Sequence, residues 1–271
     1  MDKGKVSVIM AIYNCAQYLP EAIDSILNQT YTNWELILCD DASTDDTYLV
    51  AKAYKNQYPN NIILIQNEKN SKLSYSLNQC LKYVTGEYVA RMDGDDICSP
   101  ERFEKQVAYL KAHPEYQVVG TDMQHFNENT GLADIVKSVT NPDYYTLRKR
   151  IPYHHATIMT YKYVYDKVGG YTVSERTIRA QDYDLWFRFY YEGYNGNNIH
   201  EPLYFMREDI DAIRRRTNKV RWNALKTTYI GYNLLGYPKW WLIRPTIIMI
   251  YKSLVPYCFV ELYRAWQAKH K

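Results

Sequence analysis

Glycine is missing from a long stretch of this chain: none stands between Gly4 and Gly86, although the 271 residues contain 11. A dinucleotide fold with a Gly-x-Gly-x-x-Gly turn and a P-loop both need glycine directly after the first strand, so both are excluded. A nucleotide bound here would have its pyrophosphate held by something other than a glycine-rich helix start. Cysteine is scarce and unpaired. Cys15, Cys39, Cys80, Cys98 and Cys258 are odd in number and scattered, which reads as reduced thiols of a cytosolic protein and not as a disulfide framework. No Cys/His cluster competes for a metal. No secretory signal is expected either, because the N-terminus is polar and charged and the apolar run from Val6 to Ile12 is too short.

Acid is present where those signals are absent. Asp93-Gly94-Asp95-Asp96 follows Glu87-Tyr88-Val89-Ala90, which reads as a strand. It precedes Ser99-Pro100-Glu101-Arg102, which reads as a helix start with a Ser N-cap and Pro at the first helical position. Carboxylates this close repel one another, and a divalent cation offsets that repulsion most simply. Side chains alternate along a strand, so Asp-x-Asp spacing lets Asp93 and Asp95 point the same way. Oxygen-only ligands suit Mg²⁺ or Mn²⁺ better than zinc. A solvated Asp-Gly turn is the plainer alternative. A calcium loop of the EF-hand type is excluded, since Ile97 and Cys98 stand where an oxygen ligand and the turn glycine are required.

Around this acidic run the chain alternates strand and helix. Val6–Ile12, Glu35–Cys39, Ile62–Ile65 and Tyr88–Met92 read as strands. Between them, Leu19, Ala22, Ile23, Ile26 and Leu27 make one helix face, Leu49, Val50 and Ala53 a second, and Leu73, Leu77, Leu81 and Val84 a third. Short alternation of this kind predicts a wound α/β unit with a parallel sheet, and ligands of such sheets bind beyond the carboxyl ends of the strands. Three of those ends carry Tyr13-Asn14, Asp40-Asp41 and Asp93-Gly94-Asp95, which should converge.

The residues from Val6 to Asn14, Asp40-Asp41-Ala42-Ser43-Thr44-Asp45, Gly86 to Asp96, Gly169-Gly170-Tyr171 and Gln181-Asp182-Tyr183-Asp184-Leu185-Trp186 resemble, in that order, the blocks of the family 2 inverting glycosyltransferases. Five blocks in order, over roughly the first 210 residues, are far more specific than any one motif. The resemblance implies an α/β fold of the GT-A type, a mostly parallel sheet flanked by helices, with the acceptor region in the second half. It implies that Asp41 contacts the nucleobase and that Ala11 and Tyr13 line the base and ribose. Asp93 and Asp95 would hold Mn²⁺ or Mg²⁺ on the donor diphosphate, Asp95 being the principal ligand, and Asp182 would be the catalytic base. The implied reaction is a single displacement from a nucleotide sugar, UDP being the carrier expected, with inversion at the anomeric carbon. A histidine near His155 borders the donor site in many family members. Three positions depart from the family pattern: Ala11 stands where proline is usual, Lys72 where glycine is frequent, and Gln181 where glutamate is common. A lysine at position 72 would reach the diphosphate or face solvent.

Read physically, Asp182, Leu185, Trp186 and Phe189 fall at i, i+3, i+4 and i+7, which puts Asp182 on the inward stripe of a helix and Asp184 off it, within reach of Arg188. A carboxylate on such a stripe is costly unless it lines a cavity, and partial desolvation raises its proton affinity as a general base requires. A helix N-cap is the other reading. His154 and His155 precede Ala156–Met159, an expected strand. Arg207 and the run Arg214-Arg215-Arg216 would close over phosphates or form a solvated face.

Net charge is +3, unevenly spread: from Lys239 onward Lys239, Arg244, Lys252, Arg264, Lys269 and Lys271 face Glu261 alone. Interleaved with them are Trp240, Trp241, Tyr251, Tyr257, Phe259, Tyr263 and Trp266. Charges and prolines interrupt this tail, so amphipathic segments on an anionic bilayer fit it better than a transmembrane helix, with helices packed on the catalytic domain as the alternative. The expected organisation is a catalytic domain over 1–210, divided into a nucleotide-sugar half over 1–120 and an acceptor half over 121–210, then a basic, aromatic helical region over 211–271.

Together these readings predict a metal-dependent hexosyl- or N-acetylhexosaminyltransferase of polysaccharide synthesis. It would be cytoplasmic and peripheral on the inner face of the plasma membrane. Its acceptor would be a saccharide or lipid-linked saccharide, and no nucleic-acid partner is expected. A sugar nucleotidyltransferase would need a glycine-rich basic loop after the first strand, which this chain lacks. A non-catalytic nucleotide-sugar or glycan-binding protein of the same fold would have no use for both the Asp93/Asp95 pair and Asp182.

Overall fold

A computed structural model describes residues 1–127, 131–208 and 217–254. The strands are β1 (Asp2–Ile12), β2 (Trp34–Asp40), β3 (Ile62–Gln66), β4 (Gly86–Arg91), β5 (Ile97–Cys98), β6 (Val118–Asn127), β7 (Gly131–Val136), β8 (Met159–Tyr161) and β9 (Gly196–Arg207). The α-helices are α1 (Leu19–Leu27), α2 (Thr47–Gln57), α3 (Leu73–Leu81), α4 (Arg102–Ala112), α5 (Lys162–Val168), α6 (Gln181–Tyr191), α7 (Asn218–Leu234) and α8 (Ile243–Leu254). They form one sheet in the order β3-β2-β1-β4-β8-β6-β9-β5, with β7 on the outside of β6. The first four of these strands are mutually parallel, as the alternation predicts. Beyond β4 the sheet turns mixed: β8 is antiparallel to both its neighbours, while β6 and β9 are parallel.

Alternate residues of one strand feed opposite layers. Val6, Val8, Met10 and Ile12 of β1 join α1, α2 and α4 on one side, whereas Ile9 joins α3, α5, α6 and α7 on the other. Strands buried on both faces account for the near-continuous apolar runs.

Several boundaries and faces differ from the sequence reading. The inward face of α2 is Thr47 and Ala51, with Tyr54 half-buried and bonded to Asp24 at 2.9 Å, while Leu49 is 62% exposed and Ala53 lies outward. Helix α4 begins at Arg102, not at Pro100, because Ile97-Cys98 first pairs with β9 and the Ser99 amide is spent on Leu203. Residues 155–157 form a single 3-10 turn, held by Thr157 bonding back to His154, so the expected strand begins only at Met159. Arg214–Arg216 and the tail beyond Leu254 lie outside the described residues.

Candidate active site

The carboxyl ends of β1, β2 and β4 do meet, and side-chain bonds join the first two. Asn14, at φ 49°, accepts from the Thr44 amide at 2.8 Å and donates its own amide to Ser43 at 3.1 Å. Asp41 is buried, and its two oxygens accept from Asn67 Nδ2, the Ser71 amide and the Lys72 amide, each at 2.8 Å. These bonds hold Lys72 at φ 72°, ψ 165°, a region populated almost only by glycine. Lys72 thus occupies a backbone conformation that suits the family's glycine.

Ala11, Tyr13, Asp41 and Lys72, together with Ile12, Asn70, Leu73 and Ser76, line a cavity of about 180 Å³. Asn70 Oδ1 is buried there without a hydrogen-bond donor, a costly state that a ligand N–H would relieve.

The acidic run lies at the end of β4. The buried Arg91 guanidinium pairs with the Asp93 carboxylate. Tyr204 of β9 ties the loop together: its hydroxyl accepts from the Asp93 amide at 3.1 Å and donates to Asp96 at 2.8 Å. Asp96 is buried, accepts also from the Arg207 amide at 2.8 Å, and is pushed up to about 8 by burial and then by Asp93 and Asp95. It serves the loop's architecture. Asp95 is more exposed, and its carboxyl too is raised by desolvation and by Asp93. A raised Asp95 carboxyl beside the Asp93 carboxylate fits a hard cation that shares its shell with substrate phosphates, the usual arrangement for Mg²⁺. Among the described residues no group of three or more metal-binding side chains is assembled, so protein oxygens alone do not complete a shell.

Arg207 borders Asp95. Its Nε donates to the Asp95 carbonyl at 3.0 Å, its Nη2 pairs with Glu21 at 2.6 Å, and the guanidinium lies between the rings of Tyr18 and Phe126 at 4.3 and 4.5 Å. That clamp fixes an arginine at the rim of the acidic loop.

Asp182 enters from the other layer, in the first turn of α6, while Leu185, Trp186 and Phe189 behind it are buried. Burial raises its carboxyl above the usual range, and the Tyr183 amide and Arg91 act against that. Arg91 thus pairs with Asp93, and its charge also acts on Asp182. Asp184 does pair with Arg188, at 2.9 Å, and also with Arg176 at 2.6 Å. It is not off the inward side, however: it is 5% exposed, more buried than Asp182, because residues 172–177 and α7 cover it. Arg188 also donates to the Gly170 carbonyl at 2.8 Å. Gly170, at φ 67°, lies so close to Asn78 that an added Cβ would meet Oδ1 at 2.7 Å. Asn78 exchanges two 2.8 Å bonds with Tyr171.

His155 is buried, and its Nε2 meets the Tyr171 hydroxyl at 2.9 Å, which in turn meets Tyr165 at 2.8 Å. Burial and the neighbouring Arg91 hold it well below the usual imidazole range, so it is neutral. Arg91, Asn70, Asn67 and Tyr204 are the site residues that sequence reading missed. Arg91 is flagged by its place beside the acids; Asn67 and Tyr204 carry no local signal.

Known proteins resemble this chain in sequence and in fold. The chain is 52% identical over 219 residues, 80% of this chain and 78% of the relative, to the putative glycosyltransferase EpsE of Bacillus subtilis. It is 27% identical over 193 residues, 71% of this chain and 73% of the relative, to the UDP-Glc:alpha-D-GlcNAc-diphosphoundecaprenol beta-1,3-glucosyltransferase WfaP of Escherichia coli. S. aureus TarS 1-349 in complex with UDP-GlcNAc superposes with TM-score 0.66 at 19% identity, covering 83% of this chain and 66% of that one, just under two thirds of its length. The mannosyltransferase PcManGT from Pyrobaculum calidifontis, in complex with GDP-Man and Mn²⁺, superposes with TM-score 0.60 at 19% identity, covering 97% of this chain and 79% of that one. The fold is accordingly of the GT-A type. The glycosyl transferase family 2 model matches residues 7–177, and the chain belongs to that family of glycosyltransferases.

Proposed function

We propose that this chain is an inverting transferase that moves a hexosyl or N-acetylhexosaminyl unit from a nucleoside-diphosphate sugar, UDP in the first place, to a hydroxyl of a lipid-linked saccharide. The observation that carries this reading is Arg91, which pairs with Asp93 and lies in the field of Asp182. The orphaned Asn70 oxygen in the Asp41 cavity supports a base with a ring N–H, as uracil has. The UDP-GlcNAc bound by TarS points the same way, and the acceptor named for WfaP supports a lipid carrier.

Ala11 and Tyr13 flank the base and ribose, and Asp41 shapes that cavity through the loop it holds. When Mg²⁺ or Mn²⁺ is bound, Asp95 and Asp93 would hold it, and it would supply charge stabilisation for the departing diphosphate. Lys72 and the clamped Arg207 add positive charge at the rim. The Asp182 carboxylate takes the proton of the acceptor hydroxyl. The freed oxygen attacks the anomeric carbon from the face opposite the diphosphate, and the bond to the diphosphate oxygen breaks. One displacement inverts that carbon, so no carboxylate nucleophile is required. Neutral His155 and Tyr171 back the Arg91 side of the site.

Asp182→Asn keeps the shape and removes the base. The variant retains the thermal shift given by UDP and Mn²⁺, while transfer in a screen of nucleotide sugars falls by about 10²–10⁴-fold. Unchanged turnover refutes the assignment.

A further inference from the structure

Helix α7 turns several large apolar side chains away from its own protein. The face it turns to α6 is Asn223, Thr227, Thr228, Gly231 and Tyr232. Its outward face carries Trp222, Tyr229 and Ile230, which are 50%, 51% and 44% exposed. Helix α8 repeats the pattern: Ile243, Ile247, Ile250, Tyr251 and Leu254 stand outward at 59%, 60%, 45%, 67% and 76% exposure, at the i, i+4, i+7, i+8 and i+11 spacing of one helix face. Trp240, 66% exposed, lies in the turn between the two helices. An apolar face of this extent on a protein surface marks a partner.

Charge decides which partner. From Asn218 to Leu254 there is no aspartate or glutamate, while Lys219, Arg221, Lys226, Lys239 and Arg244 are all present. A second copy of the same face would set like charges opposite one another, which disfavours self-association. Aliphatic side chains rimmed by Trp, Tyr and lysine or arginine match the boundary of an anionic bilayer. No helix among the described residues is long and apolar enough to cross a membrane, so the helices would lie in the plane of the surface.

We infer that α7 and α8 form a rigid platform that seats this protein on anionic lipid and sets the height of the catalytic helix above it. This rests on the proposed transfer to a lipid-linked acceptor and adds the surface that meets the lipid. Helix α7 is fastened directly to α6: Gly231 comes so close to Phe187 that an added Cβ would lie 2.1 Å from the ring. The edge-on contact of Phe187 with Tyr232 continues the seam. Asp182 stands on that same helix, so a docked platform holds it in fixed relation to the bilayer.

The test is cosedimentation of the full chain with vesicles of phosphatidylcholine alone or with 30 mol % phosphatidylglycerol, in parallel with the UDP thermal shift. The expected result is binding to the anionic vesicles that weakens as salt rises. The triple variant Ile243→Ser, Ile247→Ser, Ile250→Ser should weaken it by about tenfold or more, and Lys239→Glu with Arg244→Glu likewise, both with the UDP shift intact. No binding of the full chain to anionic vesicles overturns the proposal, and so does a triple variant that binds as well as the parent. Loss of a dimer in the triple variant, read by analytical ultracentrifugation, assigns the face to self-association and also overturns it. Since the readout is vesicle binding, its failure leaves the transferase reading to stand or fall by Asp182→Asn.

Discussion

Arg91 donates to the carboxylate of Asp93, two residues further along, and its charge also acts on Asp182 from the opposite layer. Its Nε has no acceptor although it is buried. The end of β4 thus holds one cation whose charge acts on both acids proposed for different tasks. A base must be deprotonated to act, and Asp182 is held above the ordinary aspartate range by burial. Activity therefore rises with pH through that raised value, so the acidic limb of kcat/KM lies above the usual aspartate value of about 3.9. Arg91 works against the rise, so Arg91→Gln moves the limb to still higher pH and lowers transfer by about 10²-fold, while Arg91→Lys keeps the limb nearer the parent. A pH–rate profile of the three proteins checks this, and a limb that does not move in Arg91→Gln contradicts it.

Asp184 is the structural acid of α6. Arg176, Arg188 and Thr172 bond it, and they hold its carboxyl below the usual range. A depressed value in the folded state means stability that is present above the unfolded value and lost as pH falls through the folded one. Asp184→Asn leaves two arginines short of a partner and should cost about 3–5 kcal/mol. Urea titration at neutral pH measures that loss, which shrinks as the parent is titrated below about pH 4.

Lys72 links backbone strain to ligand. Its φ of 72° and ψ of 165° suit glycine, and the Asp41 carboxylate holds it there. Lys72→Gly relieves about 1–3 kcal/mol of strain against about 1 kcal/mol for the looser unfolded chain. The thermal midpoint of the ligand-free protein should therefore rise. The KM for the nucleotide sugar should rise as well, because the ammonium at the rim is gone. A variant with a lower midpoint and unchanged KM would show the lysine to be neither strained nor used.

Periodicity read the first half of this fold well because each β-α unit there is local. The strand ends bearing Tyr13, Asp41 and Asp93 converge as the parallel sheet requires. It misjudged α2, where a tyrosine and a threonine are covered and Leu49 is not. It misplaced the start of α4, since the pairing of Ile97 and Cys98 with β9 is a contact across 107 or so residues that no local pattern records. Asp184 shows the same limit. Its pairing with Arg188 follows from i+4 spacing, but its burial comes from Arg176 and α7, which arrive from elsewhere in the chain. Within the site, the acids and Lys72 stand out as residue types. Asn67, Asn70 and Tyr204 are ordinary residues that acquire roles only through the folded contacts.

Gly231 of α7 packs directly on Phe187 of the helix that carries Asp182. Its backbone is helical and not in the left-handed region, so the need for glycine here is steric alone. A Cβ would stand 2.1 Å from the Phe187 ring, which is itself buried against Leu185 and Trp186 in the same layer and has little room to move. Gly231→Ala gains helix propensity worth about 1 kcal/mol and loses about 1–3 kcal/mol to overpacking. The net effect is destabilisation, visible as a lower thermal midpoint. The damage should also show in the chemistry, because α7 packs directly on α6. A shift of α6 displaces Asp182 while the Asp41 cavity, lined from β1, the end of β2 and α3, keeps its lining. The expected kinetic signature is a fall in kcat with the donor KM held near the parent value, and the second variant Phe187→Leu, which makes room for the new methyl, should restore part of it. A Gly231→Ala protein with parental kcat would mean that the seam between the two helices does not set the position of the base.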